Sequence, residues 1–469
     1  MEFLCREDVK VVDGTAMSYV SAFSGAGIGD CGIHFGSEIP LAMASEKETD
    51  RANIIRRNFN KTKVFSGDIN ERLSEMEAHW ESHFGGLNPW LVVLSPPCQG
   101  MSANGLGKIM SQVRQNKRPE LDERNQLIIP GIKLIESLKP DWFIIENVPR
   151  MKHTVIENEE GEYVKIIDFV KDKLEVHDYV VKEQNIDFLD YGVPHRRERL
   201  ITIGCRLKFE EDVGYHPTPT HGPNPHQEKY INLGQVLKKA KLPRIKAVEK
   251  ENKCEKIEFH EVPVWNENHM LWMKDVLPGA TAFDNHRCPN PKCNISYTSE
   301  PTLTHCKKKG CGTPLRRPQV SFKGWACNIC DEKNRNHRDA CYCGKKRTNE
   351  KTEKLSRIIK GFKTSYRRLD GNSPAGTLTM NSGVISSDMK GHPTEDRVLS
   401  VKEVLILSTM HSYEKEKYPW EGFAFETKNS DGKSEKVSLR TIRHVIGESI
   451  PPLGLQQIVD HLTSIDPRL

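Results

Sequence analysis

Across residues 17–205, short apolar runs alternate with longer amphipathic stretches, and this alternation narrows the fold more than any other feature of the chain. Residues 18–23 (SYVSAF), 90–94 (WLVVL), 141–145 (DWFII) and 199–203 (RLITI) have the length and the β-branched or aromatic content of buried strands. Residues 49–58 and 125–138 read as helices lying between them. Such alternation predicts an α/β fold with an open parallel sheet and helices on both faces. Sheets of this kind bind ligands at the carboxyl ends of their strands. The residues with chemical potential in this chain follow those ends.

Phe23, Ser24, Gly25, Gly27 and Gly29 form a glycine loop after the first run, where the backbone can turn tightly and approach a ligand closely. Glu46 closes the next apolar segment (LAMASE), about 20 residues on, where a carboxylate can bind ribose hydroxyls. Asp68, followed by Ile69, ends a third run at residues 64–65, although Gly-Asp is also an ordinary turn. A glycine loop with acids after successive strands fits an adenosine-containing cofactor. Cys98 stands between two prolines and a glycine just past WLVVL, where a rigid backbone could present a thiolate nucleophile. Glu146 follows DWFII, while Arg197 and Arg199 stand where the fourth run begins. A thiol, a carboxylate and guanidinium groups are thereby expected at one sheet edge.

The 13 cysteines are unevenly placed: eight fall between Cys288 and Cys343. Clustering of this kind, with no secretion signal among the first 20 residues, reads as metal ligation rather than disulfides. Residues 288–363 hold 18 Lys and Arg against 6 Asp and Glu, a balance of +12 in a chain whose net charge is +5. A cationic module on a mildly acidic body points to a polyanionic partner. No apolar stretch reaches the ~18 residues of a membrane span, so a cytoplasmic protein with no membrane partner is expected.

In linear order, the motifs resemble those of the DNA (cytosine-5) methyltransferase family, in its compact bacterial or phage form. FSGAGIGDCG resembles the cofactor loop, SPPCQGMSANG the nucleophile loop, ENVPRM the acid motif and YGVPHRRERLITIG the paired-arginine motif. RRLDGNSPAGTLT resembles the element closing the target-recognition region, and RHVIGESIPP the late motif that returns to the cofactor. The resemblance implies a Rossmann-like sheet that binds S-adenosylmethionine, and a base-flipping enzyme. Cys98 would attack carbon 6 of a flipped cytosine. Glu146 would hold ring N3 and the exocyclic amine, and Arg199 the carbonyl oxygen with Arg197 in support. It further implies cofactor contacts from the glycine loop, Glu46, Asp68, Ile69, Asn125, Leu127 and Ser449. Three positions depart from the family pattern: Met101 for Phe, His195 for Gln, and Glu448 for Asn.

Cys327, Cys330, Cys341 and Cys343, preceded by Trp325, resemble small Trp-led zinc fingers that bind single-stranded RNA or ubiquitin, with a shortened last pair. Cys288, Cys293, Cys306 and Cys311 can form a second thiolate set, with His286 and His305 as substitute ligands and cross-braced pairing between the two sets as the alternative. Two structural zinc ions are therefore expected. The expected domains are a catalytic one at 1–207, target recognition at 208–435 with the zinc insertion at about 286–345, and a returning segment at 436–469. Double-stranded DNA is the expected partner of a monomer, beside a separately acting restriction endonuclease. The alternatives are methylation of RNA of the tRNA type, and a non-catalytic DNA-binding regulator on the same fold.

Overall fold

The structure, a computed structural model, describes residues 2–98, 100–101, 122–209, 213–293, 295–297, 303–348, 350–358, 364–387, 391–428 and 433–469. Gln99 and the SANG portion of the nucleophile-loop motif lie outside these residues. The chain divides into two compact units. One comprises Met1–Lys241, Asn372–Met380 and Lys402–Leu469; the other comprises Leu242–Gly371 and Asn381–Val401. Residues 208–241 and 402–435 thus pack with the sheet-bearing unit.

That sheet is built from β1 (Thr15–Ala22), β2 (Leu41–Glu46), β3 (Lys63–Ser66), β4 (Asn88–Leu94), β5 (Trp142–Asn147), β6 (Val180–Asp187) and β7 (Glu198–Cys205). Their order is β3-β2-β1-β4-β5-β7-β6, and Val11–Val12 adds a short strand against β1. From β3 to β5 every pairing is parallel. The order reverses direction between β1 and β4, the topological switch point at which such sheets open a crevice. The all-parallel expectation fails at residues 199–203, because β7 runs antiparallel to both β5 and β6. Only ten residues separate β6 from β7, too few for the crossover a parallel pair requires. β6 itself (VVKEQNID) escaped the hydrophobic reading because it is a polar edge strand in which only Ile186 is buried.

Helices α1 (Thr49–Asn58), α2 (Ile69–Phe84), α3 (Ile128–Leu138), α4 (Ile166–Glu175), α5 (Leu233–Ala240), α8 (Leu439–Glu448) and α9 (Pro452–Ile465) belong to this unit. In α2, Asp68 caps the start by accepting from the Asn70 N–H, and Gly85 ends the helix at φ +48°. α3 packs against both α2 and α4, and with them Ile132, Ile135, Phe143, Val170 and Leu174 form one apolar core. α9 lies against the turn Gly32–Gly36 so tightly that a Cβ on Gly32 would sit 2.0 Å from the Pro452 carbonyl oxygen. Among the described residues no helix is long and apolar enough to cross a membrane.

The second unit holds α6 (Glu267–Met273) and an antiparallel sheet of β8 (Gln319–Ala326), β9 (Lys333–Arg335) and β10 (Glu353–Ile358), with β8 central. Its main core gathers Trp265, Trp272, Met273, Tyr366, Ile385 and Val398. A separate small cluster contains Trp325, Cys327 and Cys341. A further helix, α7, spans Val401–Leu407.

The sheet edge opposite the switch-point loops is closed by buried charge. Asp141 accepts from Thr15 Oγ1 at 2.6 Å and pairs with Arg206 at 3.2 Å and Arg468 at 2.8 Å. Arg468 also holds Asp466, whose carboxylate accepts from the indole nitrogens of Trp90 and Trp142. Burial alone would raise the Asp466 carboxyl, but the Arg468 and Trp90 donors outweigh it and hold it low. That stabilisation is complete above about pH 4 and fades as pH falls through the lowered folded value. Removing the shared guanidinium leaves two buried carboxylates short of a partner. Arg468→Ala should therefore cost roughly 3 kcal/mol. The check is the urea midpoint of the sheet-bearing unit read by tryptophan fluorescence; an unchanged midpoint would dismiss the network as passive.

Candidate active site and thiolate clusters

Ala22, Ser45, Leu94 and Ile145 lie abreast in the parallel ladders, so the segments leaving β1, β2, β4 and β5 emerge at a single edge. β7 runs the other way, which brings its beginning, and with it Arg199, to that same edge. Antiparallel polarity is thus what places the arginine beside the residues following the parallel strands.

After β1 the backbone turns abruptly. Phe23 adopts φ +59°, a left-handed conformation that a bulky side chain rarely takes outside functional turns. Gly25 follows at φ +57°, with nothing within 4 Å of where its Cβ would be; this is open space for a ligand against the main chain. Gly27 is also left-handed, and a Cβ there would meet the Phe59 ring at 2.8 Å. Glu46 is buried, and its two carboxylate oxygens accept from the N–H groups of Gly25 and Glu48, each at 2.8 Å. Burial raises its carboxyl, while the Glu48 N–H and the Arg51 charge work against that rise. Glu46 therefore also braces the glycine loop. Asp68 caps α2 and receives Asn70 Nδ2 as well, and the Asn70 donors hold it below the ordinary range. Ile69 is buried.

Asn125 is buried in a short 3-10 turn, Glu123–Leu127, and its Oδ1 accepts from no described residue. Leu127 packs half-buried on the same core as Phe23. Ser449 caps the end of α8, its hydroxyl donating to the Ile446 carbonyl. An unsatisfied buried amide, an open glycine backbone and a braced carboxylate suit an adenosine-bearing ligand with hydroxyl and amine groups.

Cys98 is partly buried on the segment leaving β4. Asn147 fixes that segment: its Nδ2 donates to the Pro96 carbonyl at 3.0 Å, while its Oδ1 accepts from the Val148 N–H. Burial pushes the Cys98 thiol up and Glu146 pushes it further, whereas Arg199 and Arg197 favour the thiolate. Glu146 and Arg199 are both buried and form an ion pair at 2.5 Å. Arg197 faces another task. Its guanidinium donates to the carbonyls of Leu378, Gly447 and Glu448, tying the RRLDGNSPAGTLT and RHVIGESIPP segments to β7. Burial, with Arg199 adding, lowers Arg197 to about 9.

The three departures from the family pattern fall into place. Met101 is buried. His195 is buried and bonds the Arg196 carbonyl through Nδ1. Glu448 pairs with Arg51 at 2.7 Å and with His444 at 3.1 Å. Asn147 and Arg51 were not among the residues expected from sequence. Asn147 had a signal, since it directly follows Glu146 in the acid motif; Arg51, a half-buried position on α1, had none.

In the second unit, Cys288, Cys293, Cys306 and Cys311 bring their sulfurs within 4.8 Å of one another, as do Cys327, Cys330, Cys341 and Cys343. The nearest pairs are 3.4–3.7 Å apart. A disulfide needs about 2.05 Å, whereas a tetrahedron with Zn–S of about 2.3 Å has edges of about 3.8 Å. The thiolates fit a tetrahedral metal. His286 and His305 join neither set: His286 lies between the Leu303 carbonyl and Arg317, and His305 beside Thr304.

The family model for C-5 cytosine-specific DNA methylase matches residues 17–464. The chain is 26% identical over 452 residues to the type II methyltransferase M1.HgaI of Avibacterium volantium, covering 94% of this chain and 96% of that protein. It is 31% identical over 227 residues to the type II methyltransferase M.AquIA of Picosynechococcus sp., covering 47% of this chain and 83% of that one. Among solved structures, a Spodoptera frugiperda DNMT2 variant aligns with 95% of this chain and 99% of its own at 12% identity and a TM-score of 0.48. The family match runs unbroken from within β1 to the last turn of α9, and the chain belongs to the C-5 cytosine-specific DNA methylase family, whose members methylate carbon 5 of cytosine in DNA.

Proposed function

We propose that this enzyme methylates a flipped cytosine within a specific site of duplex DNA through a covalent Cys98 adduct. The observation that carries this reading is the grouping at one strand edge: Cys98 on a segment pinned by Asn147, next to the buried Glu146–Arg199 pair. A cytosine must leave the stack to meet such a group, since its ring atoms are out of reach in a duplex.

The Cys98 sulfur adds to carbon 6 as its thiol proton is lost, and the ring electrons move to carbon 5. Glu146, as the carboxylic acid, donates to N3 and accepts from the exocyclic amine. Arg199 donates to the ring carbonyl, so both bear the charge displaced by addition. S-adenosylmethionine, when bound, supplies an electrophilic methyl group for carbon 5. Loss of the carbon-5 proton then expels Cys98 and restores the ring. The glycine loop, Glu46 and Asn125 would hold the cofactor, with Asp68, Ile69, Leu127 and Ser449 nearby. Arg197 acts as a positioning residue through the carbonyls it ties.

Target recognition is assigned to the unit of Leu242–Gly371 and Asn381–Val401, with its two thiolate sets holding zinc. Zinc would supply cross-links around the thiolates, where the apolar cluster is only Trp325, Cys327 and Cys341. The type II methyltransferases among its relatives support a site-specific enzyme working beside a separate restriction endonuclease; action as a monomer belongs to the same proposal.

Three outcomes test this. Cys98→Ala should abolish methylation yet bind cofactor as wild type does, and wild type alone should be trapped on DNA carrying 5-fluorocytosine. Because the thiol is raised, alkylation of Cys98 should still be accelerating at about pH 9; normal turnover by the alanine variant would end the assignment. Glu146→Gln should slow single-turnover methyl transfer by roughly 100-fold, while duplex affinity, dominated by phosphate contacts, shifts far less. Unchanged rates with weakened binding would make Glu146 a docking residue. Elemental analysis should find two zinc ions, and Cys327→Ser with Cys330→Ser should lose one, weaken duplex binding and spare cofactor binding. A metal-free protein with intact site specificity would refute the zinc role.

A further inference from the structure

The second thiolate set carries an arrangement that metal ligation does not explain. Each of its two ligand pairs encloses an apolar side chain, and both point to solvent: Ile329, between Cys327 and Cys330, is 70% exposed, and Tyr342, between Cys341 and Cys343, is 75% exposed. Exposed apolar groups are ordinary when scattered singly, but two at the turns of one cluster ask for a partner. Tyr342 is not simply splayed. The Arg338 guanidinium carbon lies 3.7 Å from its ring centroid, a stacked cation on one face. The Arg338 main chain is held in turn, its carbonyl accepting from the buried Trp325 indole at 2.9 Å. The backbone of Tyr342 lies between two ligand cysteines, so the ring is presented by a rigid frame.

The surroundings identify the occupant. Residues 333–347 hold six Lys and Arg against the single Asp339. The side chains of Arg335 and Lys346, both exposed residues, have no hydrogen-bond or ion-pair partner among the described residues. An aromatic face set among unneutralised cations is complementary to a base beside its phosphates. We infer that the Tyr342–Arg338 pair is a specificity-determining contact with DNA, with Tyr342 stacking on a base that the target site exposes or unstacks. Ile329, at the other ligand turn of the cluster, offers a second exposed apolar group. This rests on the reading that the second unit recognises the target.

The test uses the full-length, zinc-loaded protein and a duplex containing the site that methylation sequencing defines for wild type. Tyr342→Ala should lower affinity for that duplex roughly tenfold, with little change for a scrambled duplex, and Tyr342→Trp should restore it. Lys345→Gln with Lys346→Gln should weaken both duplexes and flatten the salt dependence. If Tyr342→Ala loses metal, Tyr342→Leu, which keeps bulk without a π face, takes its place. Wild-type discrimination in the variant that retains zinc overturns the inference. If only the tyrosine variants are silent, this contact fails alone. If the lysine variant also leaves affinity and salt dependence unchanged, the target-recognition reading fails with it.

Discussion

Strand polarity is the constraint on which the rest of this molecule depends. Parallel strands deliver their following segments to one edge, so the glycine loop, Glu46, Cys98 and Glu146 are gathered before any side chain makes a contact. One further group, the guanidinium beside Glu146, stands at the beginning of its strand, and a parallel strand would carry that beginning to the far edge. β7 solves this by reversing direction. The Glu146–Arg199 pair is therefore a consequence of topology, and a burial that would be costly for either charge alone becomes tolerable for the two together.

A second tier of contacts turns this edge into a fixed constellation. Asn147 uses both ends of its amide to join the Cys98 segment to the residue after β5. Arg197 gathers carbonyls from segments 181 and 250 residues away in sequence, at the end of α8 where a cation also complements the helix dipole. Glu448 continues the chain of charge to Arg51 on α1. None of these groups needs to touch a ligand to matter, since each ties together segments that meet at this edge.

Much of this was legible in the sequence, for physical reasons that differ by element. Buried strands announce themselves through apolar runs, so β1, β2, β4 and β5 were readable. β6 was not, since an edge strand with one buried residue has no hydrophobic pattern to read. The direction of β7 was hidden because a run of apolar residues carries no polarity; only the short β6–β7 connection encodes it. Cysteine spacing foretold two groups of four, and the sulfurs meet in those groups. Partners such as Arg51 for Glu448 stayed invisible, because the pair is formed by three-dimensional proximity across 397 positions. The task of Arg197 was equally hidden: its motif marks it as important without saying that its donors face backbone.

The buried network at the opposite edge has a different kind of consequence. Arg468 Nη1 lies 3.4 Å from Thr15 Oγ1, so the beginning of β1 and the segment after α9 are neighbours in space. One guanidinium thus couples the segment after α9 to the beginnings of β1 and β5 and, through Asp466, to the Trp90 indole of β4. Peeling that segment from the sheet would expose the beginnings of three neighbouring strands together, so this edge opens as one cooperative unit and not strand by strand.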